Sequence, residues 1–580
     1  MRAACTSPGS RSAPLVLTLA RERRLRCFSH VDERCAGFFA LGLAKASGLP
    51  VAVACTSGTA VAELLPAAIE AHEARVPLLL LSADRPPELR ETGAGQTIDQ
   101  LKLFGGAAKW FFDVDDHAAS PERLRWMRTL ACRAYSTALE GRPGVVHLNF
   151  AFREPLVTDE PLPHDSTARP DGRPYVLRVA PNARQPPSNE LEALHESLAS
   201  ATRGVVVAGR NERRATVAGC SPGEAAAGFA AAVGWPLLAD PLSGARRGEA
   251  AIAHYDALLR NEAFATSVVP DMVVRVGDLP VSKPLRTWLA GLHTTHQLAL
   301  DPEGTWQDPA SVLSDSLAFH AADVLPALAQ TPPAAEEGWL ARWRSADELA
   351  AEAILGVLAE GGASEPAVAA ELGVLLPEAA TLFVASSMPV RDIETFWPIR
   401  ADPPRVLCNR GANGIDGTVS SAFGVAADAP GPVVLLIGDV ALAHDLGGLL
   451  AARRLELKLT IVLLDNAGGG IFDFLPVSRA ALARTPGRSQ TSQREAHGEQ
   501  DLYTRHIATP TGLDFAQAAA LYGLSHERTA DVPGFRTALE RALAHDGSSI
   551  VEVRGERAAN TALHADIWGA VSDALAPELG

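Results

Sequence analysis

Short apolar runs, each closed by Gly, Ser, Thr or Asn, alternate along this chain with alanine-rich stretches of helical length. Toward the N-terminus, Val51–Cys55, Leu78–Leu81 and Val145–Leu148 predict strands, and Glu33–Ser47 and Thr59–Ala74 predict helices. The middle has strand-sized runs at Gly204–Ala208, Met272–Val276 and Gln297–Leu300. The last third adds Thr381–Val384, Val433–Ile437, Leu459–Leu464 and Ile550–Val553, with a helix expected over about Ala441–Arg454. Strands that alternate with helices form parallel sheets covered on both faces, so the expected class is α/β, with doubly wound sheets. Ligands of such sheets gather at the carboxyl ends of the strands. Two proline-rich stretches, 154–187 and 330–337, suit linkers and divide the chain into three blocks. The domains expected are 1–170, 188–332 and 345–580. A polar stretch, 483–505, reads as a long loop or mobile segment.

Composition narrows the class. The 580 residues suggest about three to four domains. Hydrophobic residues make up 47% and charged residues 21%, enough to bury large cores. Lys and Arg total 52 against 68 Asp and Glu, a formal charge of −16, which argues against a nucleic-acid partner. The longest apolar runs, such as Val76–Ser82, fall far short of the ~20 residues needed to span a bilayer. The N-terminus, MRAACTSPGS, lacks a signal core. Seven scattered cysteines without a C-x-x-C pair argue against a disulfide framework and against structural zinc. A cytoplasmic protein is expected.

The strongest chemical signal lies in the last block. The run Val433–Ile437 passes into Gly438-Asp439, and Leu459–Leu464 passes into Asp465-Asn466-Ala467-Gly468-Gly469-Gly470. Asp439 and Asn466 are 27 positions apart, a length that suits one strand–helix–strand crossover. A right-handed crossover brings both strand ends to one edge. A carboxylate and an amide oxygen meeting there suit Mg²⁺, which takes hard oxygen ligands and often substrate phosphates. The glycines let backbone approach a phosphate or offer a carbonyl. A lone Gly-Asp is ordinarily a turn; the second strand, the Asn and the glycine run favour a metal–phosphate site.

The first block collects polar clusters just past its strands. Ser7-Pro8-Gly9-Ser10-Arg11 follows a strand-like Ala3–Thr6 and offers free N–H groups and a forked cation. Glu33 opens a helix, where an acid is ordinarily a dipole complement. Thr56-Ser57-Gly58 and Ala83-Asp84-Arg85 each follow a strand, and Gly93–Gln100 (GAGQTIDQ) contains Gln96.

GDV…DNAGGGIF resembles the metal–diphosphate motif of thiamin-diphosphate-dependent enzymes. SPGSRSAPL, DERCAGFF, TSGTA, ADRPPELR, SKP (282–284), SSMPVRDIE (386–394) and NRGANGIDG (409–417) extend the likeness over nearly the whole chain. Within that family they resemble the branch of menaquinone biosynthesis. The resemblance implies a C–C bond-forming transferase that decarboxylates 2-oxoglutarate and adds the remaining carbons to isochorismate by 1,4-addition. It implies thiamin diphosphate with Mg²⁺ or Mn²⁺. Asp439, Asn466 and the Gly468 carbonyl would hold the metal. Glu33 would touch the aminopyrimidine ring and promote the imino form of the cofactor, and Ile415 would prop the cofactor's bent shape. Thr56, Ser57, Gly58, Gly438, Ile471 and Phe472 would line the cofactor. Arg11, Arg85, Lys283, Arg391 and Arg410, with Ser10, Gln96 and Ser387 next to them, would form the pocket for the substrate carboxylates; the expectation is that Arg11, Arg85 and Lys283 face isochorismate and that Arg391 and Arg410 orient the 2-oxoglutarate part. A homodimer or tetramer with active sites at the subunit interface is implied, with no nucleic acid and no membrane span.

Departures from the family bear on these expectations. The family's usual helix before SPGSRS has no counterpart, so a start upstream of Met1 is an open alternative. Gly95 stands where the family often has Asn, and Pro284 where it sometimes has Arg. Val205–Asn211 (VVVAGRN) lacks G-x-G-x-x-G, so no flavin is expected in the middle block. The rival readings are an acetolactate synthase or 2-oxoacid decarboxylase, a non-catalytic homologue, and a nicotinamide-dependent dehydrogenase. The last lacks its glycine fingerprint.

Overall fold

The computed structural model describes residues 1–157, 173–178, 188–211, 219–478 and 502–579. The candidate linker 154–187 and the polar stretch 483–505 fall mostly outside the described residues. Seventeen described strands form three sheets. The first holds β1 (Ala3–Thr6), β2 (Arg26–Ser29), β3 (Val51–Cys55), β4 (Leu78–Asp84), β5 (Ala108–Val114) and β6 (Val145–Ala151), in the order β2-β1-β3-β4-β6-β5. The second holds β7 (Gly204–Ala208), β8 (Leu237–Ala239), β9 (Met272–Val276), β10 (His296–Leu300) and β11 (Asp315–Leu317), in the order β11-β10-β9-β7-β8. The third holds β12 (Thr381–Val384), β13 (Arg405–Leu407), β14 (Val433–Gly438), β15 (Thr460–Asp465), β16 (Ser525–Thr529) and β17 (Ser549–Arg554), in the order β13-β12-β14-β15-β17-β16. Pairing is parallel, as the alternation of strands and helices predicts. The first and third sheets share one winding order, with six strands apiece.

The chain forms two compact units. One comprises Met1–Arg184, Asn409–Val433 and Asp445–Leu459; the other comprises Gln185–Cys408, Val434–His444 and Thr460–Gly580. The first unit is organised by the helix Glu33–Ser47. Asp32 caps it by accepting from the N–H groups of Arg34 and Cys35, and Gly48 ends it in the left-handed region at φ 69°. Cys35–Ala46 are buried throughout. The helix Thr418–Ala426 packs on it at backbone distance. A Cβ on Gly42 would lie 1.9 Å from the Ser421 carbonyl oxygen, and one on Gly424 would lie 2.0 Å from that of Phe39. Only glycine permits that approach.

Two expected helices differ in form. Thr59–Ala74 divides into Thr59–Ala62 and Leu65–Ala74, with Pro66 at the start of the second. Ala441–Arg454 is interrupted: Asp439–His444 is helical, Leu446–Leu449 is a 3₁₀ turn, and Leu450–Arg454 resumes the helix. At the break, the buried Asp445 carboxylate accepts from the Ser420 N–H at 2.7 Å.

His147 lies fully buried on β6, between the rings of Phe104 and Phe111, with Nε2 2.7 Å from the Ser82 hydroxyl. Burial holds its pKa down at about 4, against 6.5 for the free side chain. The unfolded chain therefore binds a proton that the folded chain refuses, between pH 6.5 and about 4. Stability from this group is present above pH 6.5 and is lost as pH falls through that window, by about 2 kcal/mol at pH 5. The urea midpoint should fall from pH 7 to pH 5, and His147→Gln should flatten that fall. An equal fall in the variant would show that His147 contributes nothing to it.

In the second unit, Arg246 joins the second sheet to the third-sheet region. Only 2% exposed, it donates to the carbonyls of Ala239 (2.7 Å), Glu394 (2.9 Å) and Trp397 (3.0 Å). The last two satisfy the carboxyl end of the helix Met388–Phe396. No helix among the described residues is long and apolar enough to cross a membrane.

Candidate active site

β14 and β15 pair in register, Gly438 opposite Leu464, so Asp439 and Asn466 emerge together at one sheet edge. Both are buried, and the Oδ2 of Asp439 and the Oδ1 of Asn466 have no hydrogen-bond partner. Two unpartnered oxygens in a buried site are a cost unless something binds them. Burial foremost, with the charge of Asp465 next, pushes the Asp439 carboxyl up to about 7; backbone N–H groups, that of Gly468 among them, oppose the rise. Gly468 has φ 139°, and a Cβ there would lie 2.7 Å from the Ala508 carbonyl oxygen, so the turn admits no side chain. Its carbonyl accepts from the Gly470 N–H at 2.9 Å. Ile471 and Phe472 follow, half-buried on the 3₁₀ turn Gly470–Phe474.

Asn466 is itself held from behind. Its Nδ2 donates to Oε1 of Glu365 at 2.7 Å. Glu365 opens the helix Glu365–Leu375 and is buried; desolvation, then the charge of Asp392, push its carboxyl up to about 8. Asp392 pairs with Nε2 of His564 at 2.9 Å. Asp465, Asn466, Ser364 and Glu365 border a cavity of about 250 Å³, together with Arg554 and Asn560. No group of three or more His, Cys, Asp or Glu suited to a metal occurs among the described residues. A cation here would need amide, backbone and phosphate oxygens beside the one carboxylate, which is the donor set Mg²⁺ prefers. The residues present fit a magnesium-bound diphosphate.

Glu33 occupies the first turn of its helix, half-buried. Its carboxyl is raised, first by burial and further by the charges of Asp32 and Glu63. Its charge reaches Cys55 at the end of β3, whose thiol burial already pushes up. An acid at a sheet edge with a raised pKa is suited to exchanging a proton with a ligand ring.

The polar residues expected to bind anions in the first unit come from four loops. Thr56 and Ser57 are buried, and Gly58, at φ 86°, donates its N–H to Oε1 of Gln100 at 2.9 Å. The Ser57 hydroxyl donates to the Gln96 carbonyl at 3.1 Å and accepts from Nη1 of Arg85. Gln96 donates from Nε2 to the Ser57 carbonyl at 2.9 Å. Arg11 donates to the Phe152 carbonyl at 2.9 Å and lies 3.3 Å from Glu154. Burial, then the charge of Arg11, lowers the pKa of Arg85. The charges of Asp84 and Glu154 oppose that fall. Ser10 is exposed beside them on its loop.

Arg410 and Ile415 are half-buried on the loop after Asn409. Glu70, buried on Leu65–Ala74, fixes that loop by accepting from the N–H groups of Gly411 (2.9 Å) and Ala412 (2.6 Å). In the second unit, Lys283 is exposed at the start of Lys283–Gly291, capped by Ser282, whose hydroxyl also donates to Asp256 at 2.6 Å. Ser387 follows β12 in the left-handed region, φ 76°, and Arg391 donates to its carbonyl at 2.5 Å.

Sequence reasoning passed over Glu365, Gln100, Glu70 and Asp445. Glu365, Gln100 and Glu70 are polar side chains that hold Asn466, Gly58 and the Gly411–Ala412 backbone, and Asp445 holds the first turn of the helix Thr418–Ala426. Nothing local distinguishes them from surface acids or amides.

Three family models match the chain in order. They are "Thiamine pyrophosphate enzyme, N-terminal TPP binding domain" over residues 1–103, "Middle domain of thiamine pyrophosphate" over 174–384, and "Thiamine pyrophosphate enzyme, C-terminal TPP binding domain" over 390–553. Thiamine pyrophosphate is another name for thiamin diphosphate. Several curated relatives carry one name, 2-succinyl-5-enolpyruvyl-6-hydroxy-3-cyclohexene-1-carboxylate synthase. That of Chloroflexus aurantiacus is 42% identical over 98% of this chain and 93% of its own. That of Geobacillus kaustophilus is 43% identical over 99% and 95%. That of Rubrobacter xylanophilus is 42% identical over 97% and 94%.

Proposed function

Because the chain belongs to the 2-succinyl-5-enolpyruvyl-6-hydroxy-3-cyclohexene-1-carboxylate synthases, within the thiamine pyrophosphate enzymes, we propose that it decarboxylates 2-oxoglutarate and joins the remaining four-carbon unit to isochorismate in menaquinone biosynthesis. What carries this reading is that relatives of that single name match the chain from end to end. Bound thiamin diphosphate supplies the nucleophilic carbon that makes decarboxylation of a 2-oxo acid feasible. Asp439, Asn466 and the Gly468 carbonyl hold Mg²⁺ or Mn²⁺ and, through it, the diphosphate. Glu33 would hold a proton at the aminopyrimidine ring, and Ile415 would support the bound cofactor. Thr56, Ser57, Gly58, Gly438, Ile471 and Phe472 exclude water around it.

The substrates carry four carboxylates between them, and the cationic side chains answer that charge. Arg11, Arg85 and Lys283, with Ser10 and Gln96, orient isochorismate; Arg391 and Arg410, with Ser387, orient 2-oxoglutarate. The work divides among a pyrimidine-binding part (1–170), a central part (188–332) and a diphosphate-binding part (345–580). The working unit is a homodimer or tetramer with its sites at the subunit interface.

Supplying 2-oxoglutarate with and without isochorismate tests the reaction. The condensed product should form only with both substrates. Rapid release of a free four-carbon aldehyde, unaffected by isochorismate, would identify a simple decarboxylase instead. Arg391→Ala tests the substrate assignment. A charged hydrogen bond contributes roughly 1.5–3 kcal/mol, so KM for 2-oxoglutarate should rise about 10- to 150-fold while that for isochorismate changes little. A rise confined to isochorismate would reverse the assignment.

A further inference from the structure

An asparagine binds a cation through its oxygen and repels it through its NH₂ group. The two ends have nearly the same shape, and a half-turn of the side-chain amide exchanges them. The second unit contains a group that decides between them. Glu365, 7% exposed, accepts from Nδ2 of Asn466 at 2.7 Å, which leaves Oδ1 buried and unpartnered. With Nδ2 engaged by Glu365, Oδ1 is the end of the amide left to face the site. Gly470 keeps the space: a Cβ there would lie 2.7 Å from Nδ2. Glu365 is itself anchored at the first turn of its helix, after the Ser364 cap, whose hydroxyl accepts from the Ala367 N–H at 3.3 Å.

We infer that Glu365 is the positioning residue of the metal site, fixing the Asn466 amide so that its oxygen faces the cation. The inference rests on the proposed metal role of Asp439 and Asn466. Outer partners of metal ligands commonly contribute 10- to 100-fold to metal affinity, and a single hydrogen bond that sets the sense of an amide is such a partner.

The test is Mn²⁺ binding to the full-length, metal-stripped protein with thiamin diphosphate present. Free Mn²⁺ is read by its paramagnetic resonance signal, independently of turnover. Glu365→Leu keeps the volume and removes the acceptor; it should weaken Mn²⁺ binding 10- to 100-fold. Glu365→Gln keeps an acceptor oxygen and should stay within about threefold of the parent. In an Asn466→Ala background, Glu365→Leu should add nothing further. Glu365→Ser, too short to reach Nδ2, carries the same expectation as Glu365→Leu and replaces it if that variant does not fold.

Parental affinity in the Leu or Ser variant, with binding lost in Asp439→Ala, overturns the positioning role and leaves the metal site standing. So does an equal loss in Leu and Gln. Parental affinity in Asp439→Ala and Asn466→Ala overturns the metal site itself.

Discussion

Asp439→Ala should fold and yet fail to take up thiamin diphosphate with magnesium. The carboxylate supplies the only full negative charge among the proposed protein ligands, so its loss should exceed that of an outer partner. The apparent affinity for the coenzyme in the presence of Mg²⁺ should drop by at least about 100-fold, with turnover following. The fold should not suffer, because burial of this carboxyl is unfavourable; desolvation is the main cause of its raised pKa. Calorimetric titration with thiamin diphosphate, with and without Mg²⁺, measures the effect. Unaltered magnesium-dependent binding would remove Asp439 from the site.

Glu33→Gln separates binding from chemistry. Glu33 belongs to the first unit and Asp439 to the second, so the amide substitution leaves the proposed cation ligands untouched. Coenzyme affinity should change only a few-fold. A positioned proton-exchanging group contributes typically 10²- to 10⁴-fold, and kcat should fall by about that much. Glutamine keeps the shape and a hydrogen-bonding end but cannot gain or lose a proton in the working range. A kcat near the parental value would reduce Glu33 to the helix-dipole complement that its position at a first turn ordinarily signifies.

How far the sequence could be read depended on where each strand lies. The eleven strands anticipated, ten from apolar runs such as Val433–Ile437 and Leu459–Leu464 and one from the strand-like Ala3–Thr6, occupy interior positions of the three sheets. There both faces are covered and apolar residues predominate. The six that were not anticipated are the six edge strands. Arg26–Ser29 (RCFS), Ser525–Thr529 (SHERT) and Asp315–Leu317 (DSL) are partly exposed and polar, while Leu237–Ala239 and Arg405–Leu407 are only three residues long. Ala108–Val114 has one fully buried residue. Edge strands carry too little apolar signal to stand out from loops.

The candidate site shows the same division. Asp439 opens a helix directly after β14, and Asn466, Arg11, Arg85 and Arg410 stand in loops, where neighbouring glycines and strand context mark them; Arg391 lies on the helix Met388–Phe396. Glu365 and Glu70 sit 101 and 341 positions from the groups they hold, and only the folded chain brings those groups together.

The make-up of the first unit has a consequence for how the protein is made. Its helix Glu33–Ser47 is covered by Thr418–Ala426, and the unit also draws on Asp445–Leu459. A ribosome that has finished residue 184 must add 275 more before the last of these segments exists. At ordinary synthesis rates of about 5–20 residues per second, that is a delay on the order of tens of seconds. Throughout it the nascent amino-terminal portion carries an unshielded apolar helix face. It is the stage at which chaperone occupancy should peak, and fragments ending near residue 184 should aggregate rather than fold.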